Sequence, residues 1–83
     1  VPASIWTYGT IEIGFQYLKR YRPFSDAETR LELLRRLNEI AGVDLPVDSI
    51  EKRPGLKLDL FAEPAELQKL IKTLDWVVAS ILG

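Results

Sequence analysis

Cysteine, histidine and methionine are all absent from the 83 residues. Without cysteine there are no disulfide staples, which small secreted domains commonly need, so the chain reads as cytoplasmic. Without histidine and cysteine it cannot build the ordinary zinc sites. Cysteine nucleophiles, serine–histidine dyads and triads, and histidine-based sensing near neutral pH are excluded with them. The five glycines, at positions 9, 14, 42, 55 and 83, never cluster, and neither GxxxxGK[ST] nor GxGxxG occurs. No long apolar run suggests a membrane span, and no basic-then-apolar leader is visible. Excess charge of one sign is missing too. Eleven basic residues against twelve acidic ones leave a net charge of −1, unlike a dedicated nucleic-acid or membrane binder. The start at Val1-Pro2, with no methionine, reads as a domain excised from a longer protein.

What remains is globular in composition, 47% hydrophobic and 28% charged. One domain over 1–83 is all this length permits, with a thin margin of stability.

Alternation of Ile11, Ile13, Phe15 and Tyr17 predicts a half-buried strand over 11–17. Gly9-Thr10 suits a two-residue hairpin loop, which would pair Tyr8 with Ile11, Trp6 with Ile13 and Ser4 with Phe15. That register puts Trp6 and Tyr8 on the apolar face. Ser25-Asp26-Ala27-Glu28 reads as a capping box opening a helix over 26–41, with Gly42 as its left-handed stop. Leu33, Leu34, Leu37, Ile40 and Ala41 form its apolar stripe. Glu32 with Arg36 and Arg35 with Glu39 are spaced i,i+4 on the other side. Alternation over 56–60 predicts a third strand. Glu63-Pro64 starts the last helix, whose Leu67, Leu70, Ile71, Leu74, Val77, Val78 and Ile81 are expected to face the core. The order β-β-α-β-α predicts an α+β fold, a two-layer sandwich with both helices on one sheet face.

Carboxylate chemistry finds no pattern. A magnesium nuclease of the PD-(D/E)xK kind needs a lysine two residues after a strand acid. Glu12 is followed there by Gly14, and no lysine follows Asp59 at that spacing, with Ala62-Glu63 coming after. No catalytic, metal or cofactor site is assigned.

Two surface features stand out. Lys19, Arg20, Tyr21 and Arg22 interleave basic charge with an aromatic, the arrangement that clamps phosphates while a ring stacks on a base. Arg53, with Lys52 and Lys57, extends the cluster if the third strand lies beside the hairpin. A solvated strand end explains the same run. Trp76 lies about 180° from the apolar stripe of the last helix, at about 100° per residue. Lys69, Lys72, Thr73 and Ser80 are its neighbours there. A tryptophan among polar residues suggests an anchor for a partner protein, or a residue covered by a loop.

Arg22-Pro23-Phe24-Ser25-Asp26, the run 30–42 (RLELLRRLNEIAG), Lys52-Arg53-Pro54 and Leu74-Asp75-Trp76-Val77 together resemble a C-terminal module of uncharacterised bacterial proteins. The resemblance implies an accessory domain following another, in proteins linked to nuclease or restriction functions, and carries over no catalytic residue. The expected function is therefore an accessory interaction domain docking to its parent or to a partner protein, a homodimer included. Weak nucleic-acid binding beside a nuclease-type domain is the alternative.

Overall fold

The computed structural model describes the backbone of residues 3–6 and 9–83, and side chains from 9 onward. The expected Tyr8–Ile11 pairing and the facing of Trp6 and Tyr8 lie outside the described residues. The chain folds as a small α+β domain. Strand β1 (Ala3–Trp6) pairs antiparallel with β2 (Thr10–Ile13), and β2 pairs antiparallel with β3 (Gly55–Lys57), giving sheet order β1-β2-β3. Three α-helices follow the hairpin: α1 (Phe15–Leu18), α2 (Ala27–Leu37) and α3 (Pro64–Leu82). Short 3-10 turns at Val47–Glu51 and Leu58–Phe61 flank β3.

The hairpin sits where alternation predicts, but in a different register. Trp6 stands opposite Thr10, Ile5 opposite Ile11 and Ala3 opposite Ile13, so Trp6 does not meet Ile13. Three residues, not two, separate the strands, and Gly9 holds the last of these positions at φ +76. A three-residue hairpin loop places a left-handed residue there, and glycine adopts that conformation without steric cost.

Strand β2 also stops sooner than its alternation implies. Phe15 and Leu18, three apart, are both buried on α1, while Tyr17 turns outward. The Gly14 carbonyl accepts from the Tyr17 and Leu18 amides and starts the helical turn. A Cβ at Gly14 would lie 2.8 Å from the Tyr17 ring, so a larger residue would push that ring aside.

Asp26, not Ser25, caps α2, and no side chain bonds the free amides. Arg30 closes the approach to the helix instead: its Nη1 donates to the carbonyls of Phe24 (2.8 Å) and Ser25 (3.1 Å). The helix ends at Leu37, short of the expected end at Ala41. Asn38 explains this, because its amide bonds the Leu45 backbone in both directions, donating at 3.1 Å and accepting at 2.8 Å. Gly42 still supplies a positive φ of +86, at the end of the turn that follows. The third strand is likewise cut short at Lys57, where the chain winds into the Leu58–Phe61 turn.

Ile11, Ile13, Phe15, Phe24, Leu33, Leu37, Leu56, Phe61, Leu70 and Val77 share one buried cluster, which fixes how α2 and α3 sit on the rest. Helix α3 packs chiefly against α2 and the Leu58–Phe61 turn.

Candidate interaction surfaces

Helix α3 begins at Pro64 as its sequence predicts, but the face it buries is not the one predicted. Glu66, Leu70, Thr73 and Val77 are its buried positions. Leu74 and Ile81 are partly buried at one margin of that face, and Trp76 packs at the other. The outer face carries Leu67 (39% exposed), Ile71 (40%), Val78 (45%) and Leu82 (82%).

The turn that follows α2 accounts for this rotation. Its backbone N–H and C=O groups need partners. The Glu66 carboxylate accepts from the Ala41 amide at 2.5 Å, and Lys69 Nζ donates to the Glu39 carbonyl at 3.2 Å. Lys69 also donates to Glu66 at 3.1 Å, forming an ion pair. The Ala41 N–H, with Lys69 beside it, holds the Glu66 carboxyl below the usual glutamate range despite burial. Satisfying these groups turns Glu66 inward with Lys69 at the rim, and the apolar stripe turns out.

Trp76 therefore does not stand on an outward polar face. Its ring meets Phe24 edge-on, with centroids 5.5 Å apart and planes at 82°. The Arg36 guanidinium lies 4.1 Å from its ring centroid. Such geometry joins an aromatic edge contact to a cation–π contact. The other members of the expected interface scatter. Thr73 is buried, and its hydroxyl donates to the Lys69 carbonyl at 2.7 Å. The Ser80 hydroxyl donates to the Trp76 carbonyl at 2.7 Å. Lys69 is tied to Glu39 and Glu66, and Lys72 alone of the set points out without an ion pair among the described residues.

The basic cluster is brought together in part. Backbone bonds from Ile13 to Pro54 and from Gln16 to Lys52 lay residues 52–54 beside 13–16. Arg53 Nη1 donates to the Tyr17 hydroxyl at 3.4 Å, so the ring nearest Arg53 is Tyr17, not Tyr21. Lys19 pairs with Glu51, and Arg30 lies 3.6 Å from the same carboxylate. The Lys19 hydrogen bond holds the Glu51 carboxyl below its usual range. Lys52 pairs with Asp48 at 2.9 Å. Exposed in this cluster and without an ion pair among the described residues are Arg53, Lys57, Arg20 and Arg22, the last two beside Tyr21, which is 52% exposed.

Among the described residues, no group of three or more acidic side chains is placed to hold a metal ion. No helix there is long and apolar enough to cross a membrane. On the surface of α2, Glu32 accepts from Arg35 and Arg36, and these charges hold its carboxyl below the usual range.

The sequence pattern hides the outward stripe of α3, because Leu67, Leu70, Ile71, Leu74, Val77, Val78 and Ile81 read as one core-facing band. Its signal was the width of the band. Leu67 and Val77 lie about 80° apart, and Trp76 and Glu66 beyond them complete a second face. No protein-family model, no curated protein and no solved structure matches the chain.

Proposed function

We propose that this domain is a non-catalytic interaction module that docks on a protein surface through the outer face of α3. One observation carries the reading: Leu67, Ile71, Val78 and Leu82 line one exposed side of a 19-residue helix while Glu66 and Thr73 face in. Single exposed apolar residues are ordinary, but a contiguous stripe marks an interaction surface. The other exposed large apolar side chains among the described residues, Tyr17, Tyr21, Leu31, Val47 and Leu58, are scattered over separate elements and turns. In this reading the packing is two-layered, since Ile11, Ile13 and Leu56 of the sheet share their core with Leu33, Leu37, Leu70 and Val77 of the helices. Docking would place the module as an accessory to its parent protein or to a partner subunit.

The test is site-specific photo-crosslinking in cells, with the photoreactive residue at position 71 and, as control, at exposed Glu28 on α2. A discrete protein adduct at 71 and none at 28 is the expected result. No adduct at 71 refutes docking by this face.

Nucleic-acid binding is the second reading, favoured by the exposed Arg20-Tyr21-Arg22 run. It has lost Lys19 to Glu51, which leaves a small positive patch on a chain of net charge −1.

A further inference from the structure

Helix α3 has two faces suited to the core and buries the less apolar one. At about 100° per residue its buried positions, Thr73, Glu66, Val77 and Leu70, lie within about 60° of one another. The apolar band is wider. It runs from Val77 through Ile81, Leu74 and Leu67 to Leu82, and its centre lies about 80° from the centre of the buried face. Leu74 and Ile81 are only partly buried, and Leu67, Ile71, Val78 and Leu82 are exposed. Apolar area is left in water on one side while a carboxylate and a hydroxyl are taken in on the other. Burial alone favours the reverse.

The polar groups taken in differ in what they need. The Thr73 hydroxyl donates to the Lys69 carbonyl of its own helix, a bond open to it on any face. Glu66 reaches outside the helix. It accepts from the Ala41 amide at 2.5 Å, and Lys69, bonded to it at 3.1 Å, donates to the Glu39 carbonyl at 3.2 Å. Among the described residues, these two bonds are the ones by which α3 side chains grip another segment. Trp76 adds its contacts with Phe24 and Arg36 on the same side. A turn of about 80° about the helix axis would set Leu67, Leu74, Val78 and Ile81 on the core, the face that periodicity alone selects. It would bring Glu66 and Thr73 to the edge of the solvent and carry Trp76 out.

We infer that α3 is a two-position helix, and that the Glu66–Ala41 bond with its Lys69–Glu39 companion is the latch that holds the apolar stripe outward. Without the latch the helix turns and the stripe closes onto the domain's own core. On the docking reading above, a partner bound to the stripe and the latch favour the same position, so opening the latch weakens docking without altering the stripe. The turn itself does not depend on that reading.

A chain with no cysteine allows single introduced thiols as probes. Val78→Cys reports the outer face and Thr73→Cys the inner one. With Glu66 in place, maleimide should label position 78 about tenfold or more faster than position 73, which must wait for a local opening. Adding Glu66→Lys sets a cation against the Ala41 amide and beside Lys69. It should invert the order of labelling while the helical circular dichroism signal is kept. Trp76 emission, read in a Trp6→Phe background, should shift to the red as the ring leaves Phe24. Glu66→Gln keeps an acceptor for the Ala41 amide and should keep the original order. If Glu66→Lys costs the helical signal, Glu66→Ala removes the latch without adding a charge and is read the same way. Fast labelling at both positions reports melting rather than a turn and overturns the proposal, as does an unchanged order. Inverted labelling without a crosslink at position 71 would keep the turning helix and remove the docking reading.

Discussion

Trp76 touches two neighbours that come from different parts of the chain, Arg36 on α2 and Phe24 in the segment before it. Truncating it removes an edge contact, a cation–π contact and a partly buried ring at once. Trp76→Ala should lower stability by about 2–3 kcal/mol, somewhat under the range for a fully buried tryptophan. Denaturant unfolding followed by circular dichroism measures this, and a loss under about 1 kcal/mol would mean that the ring is dispensable to the fold. Arg30 is a second exposed-type residue found inside, at 5% exposure. Its guanidinium serves the carbonyls of Phe24 and Ser25, while its Nε finds no partner. Arg30→Met keeps the stem but strands both carbonyls. A loss of about 1–2 kcal/mol follows from leaving the buried Phe24 carbonyl unpaired. Glu66 gives the residue scale its pH dependence. Its carboxyl is held below the ordinary value of about 4.3, so the unfolded chain binds its proton first. The stabilisation is fully present above that ordinary value and is lost as pH falls through the lower folded-state one. Glu66→Gln should therefore flatten the acid limb of stability between about pH 5 and pH 3. An unchanged limb would assign acid sensitivity to Glu32 and Glu51, whose carboxyls are lowered at the surface and whose share 0.5 M salt would screen.

At the level of elements, what could be read in advance depended on whether the signal was local. Pro64 at the first turn of α3 is local chemistry, and the helix starts there. The hairpin position was legible from Gly9, but its register was not, because Gly9 serves equally as the first residue of a two-residue loop or the last of a three-residue one. Phe15 met two periods at once: it continues the alternation of Ile11 and Ile13, and it also stands three before Leu18. The core took the second. Which side of α3 faces inward is the least local question. It is decided by Glu39 and Ala41 in the turn after α2, 25 to 30 residues away, which need the groups that Glu66 and Lys69 bring. The residues grouped around Trp76 part for that reason, and Trp76 lies against Phe24 and Arg36. Gly42 tests the turn that carries Ala41. At φ +86, with a Cβ reaching within 2.6 Å of Leu60 Cδ2, Gly42→Ala should cost about 1–2 kcal/mol by thermal or chemical unfolding. A neutral outcome would show that the turn readily shifts.

For the molecule as a whole, charge is spread and about half of the cations are paired. Lys19, Arg30, Arg35, Arg36, Lys52 and Lys69 each have an acidic partner, while Arg20, Arg22, Arg53, Lys57 and Lys72 have none among the described residues. Phosphate binding needs unpaired cations, and these lie on separate segments of a chain of net charge −1. Anisotropy with short single-stranded and duplex DNA at about 50 mM salt should show no binding that Arg20→Ala with Arg22→Ala abolishes. Salt-sensitive binding lost in that variant would favour the nucleic-acid reading over docking.

The contact between Glu66 and the Ala41 amide spans 25 residues of a chain that has no covalent crosslink. A disulfide across such a loop would act by restricting the unfolded chain. This contact exists only once the chain has folded, so it leaves the entropy of loop closure to be met in full each time. The tie it makes opens with protons rather than with reductant, and it re-forms without any oxidant.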